Sequence, residues 1–351
     1  MRAPGGAHGE LEGAAEGPLR PLRRARRLAA HGAAVAALVG CTGGTPAPAP
    51  AASAQARPAE LVTDADGRRD AGVDAATTLA ADVAARTESV RAHYGAATRV
   101  EVVGGTFVLA EVGLPSPLFD QARALVARAL PPLFDGRFSR YPDAAVTVLC
   151  FGSGDAYRGY HREHFGERTT VDWGVYRRGA RELAVDLSRG AVFLPTLTHE
   201  MVHPLLQGDF PDAPLWLDEG IASLFEAPTF GADGSIHGQA RNWRHDALLA
   251  GLASPADRAD LRLDALFGMS PRDFKGDPKR NGDARAGHLE ALNYALARSV
   301  CAWLDAQGKL WPFYRAWRDG VAADANGERA FASVMGAAPR SMNETWLRWA
   351  R

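Results

Sequence analysis

The chain has 351 residues, with 40 Lys+Arg against 41 Asp+Glu and a formal charge of −1. Apolar residues make up 46% and charged residues 23%, a globular composition that excludes an intrinsically disordered chain and a polytopic membrane protein. The balanced charge gives no electrostatic reason to bind nucleic acid, so no such partner is expected.

The charge is unevenly spread. Residues 1–40 hold six arginines and three glutamates, and the rest of the chain is net acidic. Basic Arg23–Arg27 precede an apolar run, Leu28 to Gly40, that is too short to span a bilayer as a helix. The run ends Leu38-Val39-Gly40-Cys41, which resembles a bacterial lipobox. That resemblance implies a lipoprotein signal peptide over 1–40, lipidation of Cys41, and a membrane anchor at the bacterial cell envelope. Secretion after cleavage behind Ala52-Ser53-Ala54 is the competing route. Pro/Ala-rich sequence over 41–60 reads as a tether, and 61–97 as a helical lead-in. Beyond Cys41 only Cys150 and Cys301 remain, so the fold does not depend on a disulfide framework; whether these two pair is left open.

Within the lead-in, residues 75–94 carry a helical pattern. Strands are predicted over 99–103 and 106–110, then a helix from Phe119 to Leu130 that stops at Pro131-Pro132. Ala144 to Phe151 is β-branched and apolar, a buried strand turned by Gly152-Ser153-Gly154 into a helix over Asp155–Phe165. Gly174–Tyr176 and Glu182–Leu187 read as two strands joined by a basic turn. Long helical patterns follow at 192–207 and 215–225, with a Pro/Gly-rich reversal over 204–214 between them. Beyond 240 the pattern is almost wholly helical: 241–252, 287–306, 309–319, 328–336 and 341–350. Strands clustered ahead of helices predict an α+β fold rather than alternating β-α-β units, with 98–351 as its domain.

The chemistry concentrates at Thr198-His199-Glu200-Met201-Val202-His203. Two histidines four apart on a helix sit one turn over the other, so both imidazoles can reach one metal ion, and Glu200 can act there as a base. Sixteen positions after His203 lies Glu219, in Leu-Trp-Leu-Asp-Glu-Gly-Ile-Ala-Ser-Leu-Phe-Glu over 215–226. Its apolar neighbours imply a packed setting, where a carboxylate needs a partner. Two neutral imidazoles and one carboxylate are a catalytic zinc set that leaves one coordination position open.

His199-Glu200-x-x-His203 with Glu219 resembles the gluzincin metallopeptidases, the superfamily of thermolysin and the aminopeptidase-N group. The run 215–226 is close to the Leu-Trp-Leu-x-Glu-Gly-x-Ala signature of the aminopeptidase-N branch, and 98–351 looks like the smaller bacterial peptidase MA-like domains. The resemblance implies a zincin-like fold: a strand-rich N-terminal lobe, the active-site helix, then a helical C-terminal lobe. It implies a zinc metallopeptidase (hydrolase) with one Zn2+ per chain held by His199, His203 and Glu219. Glu200 would be the general base toward the zinc-activated water, and a peptide or protein the substrate. It also implies that Glu182–Leu187 is the cleft-edge strand along which a peptide pairs, and that a tyrosine some tens of residues after the glutamate ligand stabilises the oxyanion. Tyr294 is the candidate for that role. The Gly-x-Met-x-Asn motif of the aminopeptidase branch is absent upstream, which favours an endopeptidase.

Other positions carry weaker signals. His161 and His164 read as a solvated helix face, and His237, His245 and His288 have no distinguishing spacing. Ser223, one turn beyond Glu219, is a candidate hydrogen-bonding support for the ligands. The reading from another class is a non-catalytic envelope lipoprotein that uses the same fold to bind a peptide or protein partner; Glu200 is what separates the two.

Overall fold

A computed structural model describes residues 71–166, 173–239 and 241–351. The signal peptide, Cys41 and the tether expected from the sequence lie outside the described residues. Helix α1 (Ala71–Tyr94) leads into a five-stranded mixed sheet. Its strands are β1 (Val100–Val103), β2 (Phe107–Val112), β3 (Val146–Phe151), β4 (Gly174–Arg177) and β5 (Glu182–Asp186), in spatial order β1-β2-β3-β5-β4. The β1–β2 hairpin turns through Gly104 and Gly105, both at positive φ (61° and 71°), where a side chain would be strained.

The α+β class holds, but the strand half is wired differently from the expectation. Strands β2, β3 and β5 run parallel, with antiparallel β1 and β4 at the two sides. Helices α2 (Ser116–Phe134) and α3 (Gly154–Phe165) are the crossovers that parallel pairing demands. Every residue of β3, Val-Thr-Val-Leu-Cys-Phe, is buried, as a central strand covered on both faces must be.

Period-two alternation sorts the sheet's side chains. One face, with Leu109, Val148, Leu183 and Val185, joins the main core beneath α2 and helix α4 (Leu194–Asp209). The other, with Ala110, Leu149, Phe151 and Ala184, is covered by Val90 of α1 and by Tyr157 and Tyr160 of α3. The lead-in helix therefore packs on the sheet, and Asp82 accepts a bond from the Ala145 N–H at 2.8 Å.

Two proline-based expectations fail. Helix α2 runs through Pro131 and Pro132 to Phe134. The carbonyls those prolines leave without a helical donor belong to Ala127 and Arg128, both exposed, while Leu130 and Leu133 stay in the core. Likewise Pro204 lies inside α4 rather than in the reversal, and is buried with the turns on either side of it. Cys150 and Cys301 are both free and buried, on different elements, so they form no disulfide. Burial pushes the Cys150 thiol up to about 12.

Helix α5 (Leu215–Leu224) follows α4 after a short reversal, and then a small hairpin of β6 (Thr229–Phe230) and β7 (Ile236–His237). The remainder is helical: α6 (Trp243–Ala253), three short helices α7 (Leu263–Phe267), α8 (Pro271–Phe274) and α9 (Pro278–Asn281), then α10 (Asp283–Ala306), α11 (Leu310–Gly320), α12 (Glu328–Met335) and α13 (Pro339–Ala350). The hairpin and α7–α9 are too short to leave a periodic signal in the sequence.

Gly220 lets α5 touch α10: a Cβ there would lie 2.7 Å from Cys301 Sγ and 2.9 Å from the Ala297 carbonyl oxygen. Gly220→Ala therefore overpacks this contact and is expected to cost about 1–3 kcal/mol, read as a lowered denaturation midpoint. An unchanged midpoint would show that α10 can shift freely.

Candidate metal centre

Helix α4 lies between the sheet and the helical lobe, and every residue from Leu197 to Leu206 is buried. A helix so enclosed should be apolar all round, yet it carries Thr198, His199, Glu200 and His203. Buried polar groups of this kind need partners: Thr198 donates to the Pro195 carbonyl of its own helix, and the two histidines face carboxylates on α5. Glu219 Oε2 lies 3.4 Å from His199 Nε2 and 4.0 Å from His203 Nε2. The two imidazole rings stand 5.2 Å apart at 75° to each other. Glu200 Oε2 sits 3.9 Å from His203 Nε2. All four predicted residues are thus brought into one buried cluster, each at most 9% exposed.

His199, His203 and Glu219 each offer a ligand atom within 4.8 Å of the others, so the three can hold a metal ion. The donor set fits such an ion on a further ground. Glu219 Oε2 is buried and makes no hydrogen bond among the described residues, although it faces two imidazole nitrogens. A cation between the three would satisfy that oxygen. Burial by itself would raise the Glu219 carboxyl, but the neighbouring His199 and His203 outweigh it and hold the group well below the ordinary carboxylate range.

Sequence reasoning missed the partner of His203. Asp218 Oδ1 lies 2.7 Å from His203 Nδ1, the carboxylate–imidazole pairing that fixes a ligand's tautomer and ring orientation. Burial opposes a charge on His203, yet Asp218, with Glu219 and Glu200 behind it, pushes the imidazole up to about 10. Asp218 sits inside the motif that was read, directly before Glu219, but nothing in its spacing distinguishes it from a surface aspartate. His199 is less supported, since its Nδ1 is buried with no hydrogen-bond partner among the described residues.

The cleft-edge strand needs correction. Strand β5 (Glu182–Asp186) lies between β3 and β4, so its backbone is already paired on both sides. The edge beside the metal helix is β4, Gly174–Arg177. A glycine opens this strand for a steric reason: a Cβ on Gly174 would lie 2.7 Å from Glu200 Oε1.

The remaining candidates divide. Tyr294, on α10, accepts a hydrogen bond from Lys275 Nζ at 2.9 Å, and Arg244 lies over its ring at 5.0 Å. Arg244 also donates to Glu226 Oε2 at 3.0 Å, and its cation holds the Glu226 carboxyl down against the effect of burial. The Ser223 hydroxyl is buried with no hydrogen-bond partner among the described residues and makes no bond to the ligands; the Ser223 carbonyl instead accepts from Arg298 Nε at 3.1 Å. His161 is buried rather than solvated, its ring 4.7 Å from that of Phe165, because Tyr157, Tyr160 and His161 share the face of α3 turned to the sheet. His164 lies edge-on to Tyr160 at 4.5 Å. His237 pairs with Ser235 in the exposed hairpin and His288 with Asp257, while His245 is buried at the start of α6.

No protein-family model matches the chain, and no curated protein matches it.

Proposed function

We propose that the chain is a zinc-dependent metallopeptidase of the gluzincin type, exported and held at the cell envelope through Cys41. One observation carries the reading: His199, His203 and Glu219 converge from two helices in a buried site, with Glu200 beside them. A sheet ahead of α4 and a helical lobe behind it agree with a zincin-like fold.

In this reading His199, His203 and Glu219 hold the zinc, and Asp218 keeps His203 oriented. Bound zinc would supply Lewis acidity that polarises the scissile carbonyl and lowers the pKa of water. The peptide pairs along the open side of β4, which extends its backbone past the site. Glu200 takes the proton of the attacking water and passes it to the departing amine, so no covalent enzyme intermediate forms. Tyr294 donates its hydroxyl proton to the developing oxyanion while its oxygen accepts from Lys275. The sequence ahead of α4 lacks the Gly-x-Met-x-Asn motif with which the aminopeptidase branch holds a substrate's free amine, which favours cleavage within a chain.

The test is zinc uptake. After dialysis against zinc and removal of the excess, the full chain should retain one zinc, and the His199→Ala and Glu219→Gln variants should retain none. A wild-type chain that stays metal-free would overturn the proposal.

A further inference from the structure

Strand β4 touches the metal site at every second residue. Gly174, Tyr176 and, just past the strand's end, Arg178 face α4 and α5, in register with core residues Val185 and Leu183 of β5. Each meets a different part of the site. Gly174 leaves the space filled by the Glu200 carboxylate. The Tyr176 ring lies parallel to that of His203, with centroids 6.2 Å apart and planes 8° from each other, an offset stack. Its hydroxyl donates to Gln207 Oε1 at 2.7 Å, one helical turn beyond His203. Arg178 reaches Asp218 Oδ2 at 3.5 Å, on the carboxylate whose other oxygen meets His203. The alternate residues point away: Val175 packs on the opposite face of the sheet, and Arg177 pairs with Glu182 at 2.7 Å.

We propose that the edge strand β4 is the positioning element of the metal centre, with Tyr176 and Arg178 as positioning residues for His203. Tyr176 acts by stacking on the imidazole and Arg178 by holding Asp218 against its Nδ1. The proposal rests on the zinc reading above. It adds that His203 is fixed from both sides, by an aromatic face and by a carboxylate that is itself anchored to the strand. A ligand imidazole held in this way loses less rotational freedom when the metal binds, so metal affinity should depend on residues that never touch the metal.

Zinc affinity of the full chain, measured by competition with a chromophoric chelator, tests this alongside thermal midpoints. Asp218→Asn sets the scale, with a loss of about 10- to 100-fold expected for a direct partner of a ligand histidine. Tyr176→Leu and Arg178→Ala should weaken zinc less, roughly three- to tenfold, because neither touches the metal-bound ring's hydrogen-bonding nitrogen. Tyr176→Phe keeps the stack and should restore nearly wild-type affinity, which a merely structural role would not require. Val175→Ala, on the opposite face, should leave affinity unchanged even if it lowers the midpoint. Equal affinities across the wild type, Tyr176→Leu and Arg178→Ala would overturn the positioning role and leave the zinc reading intact. So would an equal loss in Val175→Ala. A wild-type chain that takes up no zinc would instead remove the reading on which the proposal stands.

Discussion

Glu200→Gln is expected to leave the chain folded and zinc-loaded while turnover on a quenched-fluorescent peptide mixture falls by about 10²- to 10⁴-fold. The substitution keeps the size of a side chain that is only 5% exposed, so packing of α4 is preserved. It removes the one property the proposed chemistry needs, a carboxylate oxygen able to take a proton beside the metal ligands. Glu200 is not among the three residues that can hold the ion, so metal content should not change. Activity retained in the Gln variant would refute the general-base role. A folded, zinc-loaded wild type that cleaves no peptide in the mixture would favour the envelope-binding protein over the enzyme.

The largest stability effect is expected at Asp209, the last residue of α4. Its carboxylate is fully buried and saturated. Oδ1 accepts from the Ser139 and Arg140 N–H groups at 2.9 and 2.8 Å, and Oδ2 from the Tyr314 hydroxyl at 2.9 Å and Arg318 Nη1 at 2.7 Å. The metal helix is thereby tied to α11 and to the 139–140 segment. Asp209→Ala strands the Tyr314 hydroxyl and two backbone donors and leaves Arg318 only Asp319 and the Ser139 hydroxyl, so it should cost about 3–5 kcal/mol in denaturant unfolding. Burial alone would raise the Asp209 carboxyl, but Arg318 and the other donors outweigh it and hold it below its ordinary value.

The sign of the pH dependence follows from that direction. A carboxyl depressed in the folded chain contributes its full stability above the ordinary carboxylate range and loses it as pH falls through the folded value. The wild type should therefore weaken in acid. Asp209→Asn should be less stable at neutral pH and show a shallower acid dependence. An alanine variant as stable as the wild type would mean that water replaces the carboxylate in this cluster.

Much of this was legible in the sequence because it depends on local repetition. The helix carrying His199 and His203 announces itself by their four-residue spacing, and Glu219 by its place in an apolar helical run. Strand β3 announces itself by a β-branched, apolar stretch, and β4 and β5 by two short strand-like runs on either side of a basic turn. The prolines misled because their cost depends on where the freed carbonyl points. At Pro131 and Pro132 it belongs to an exposed residue, and at Pro204 the buried turns around it hold the helix together.

What the sequence by itself determined is the identity and order of the reactive groups: two imidazoles and a base on one helix, a carboxylate on the next, strands before and helices after. Only the tertiary structure decided their partners. Parallel pairing of β2, β3 and β5 places β4, not β5, at the edge by the metal helix, and thus brings Gly174, Tyr176 and Arg178 against Glu200, His203 and Asp218. The physical reason is that strand order and the contacts between distant segments are set by which faces can be buried together. A run of residues encodes its own period but not the neighbour that will cover it.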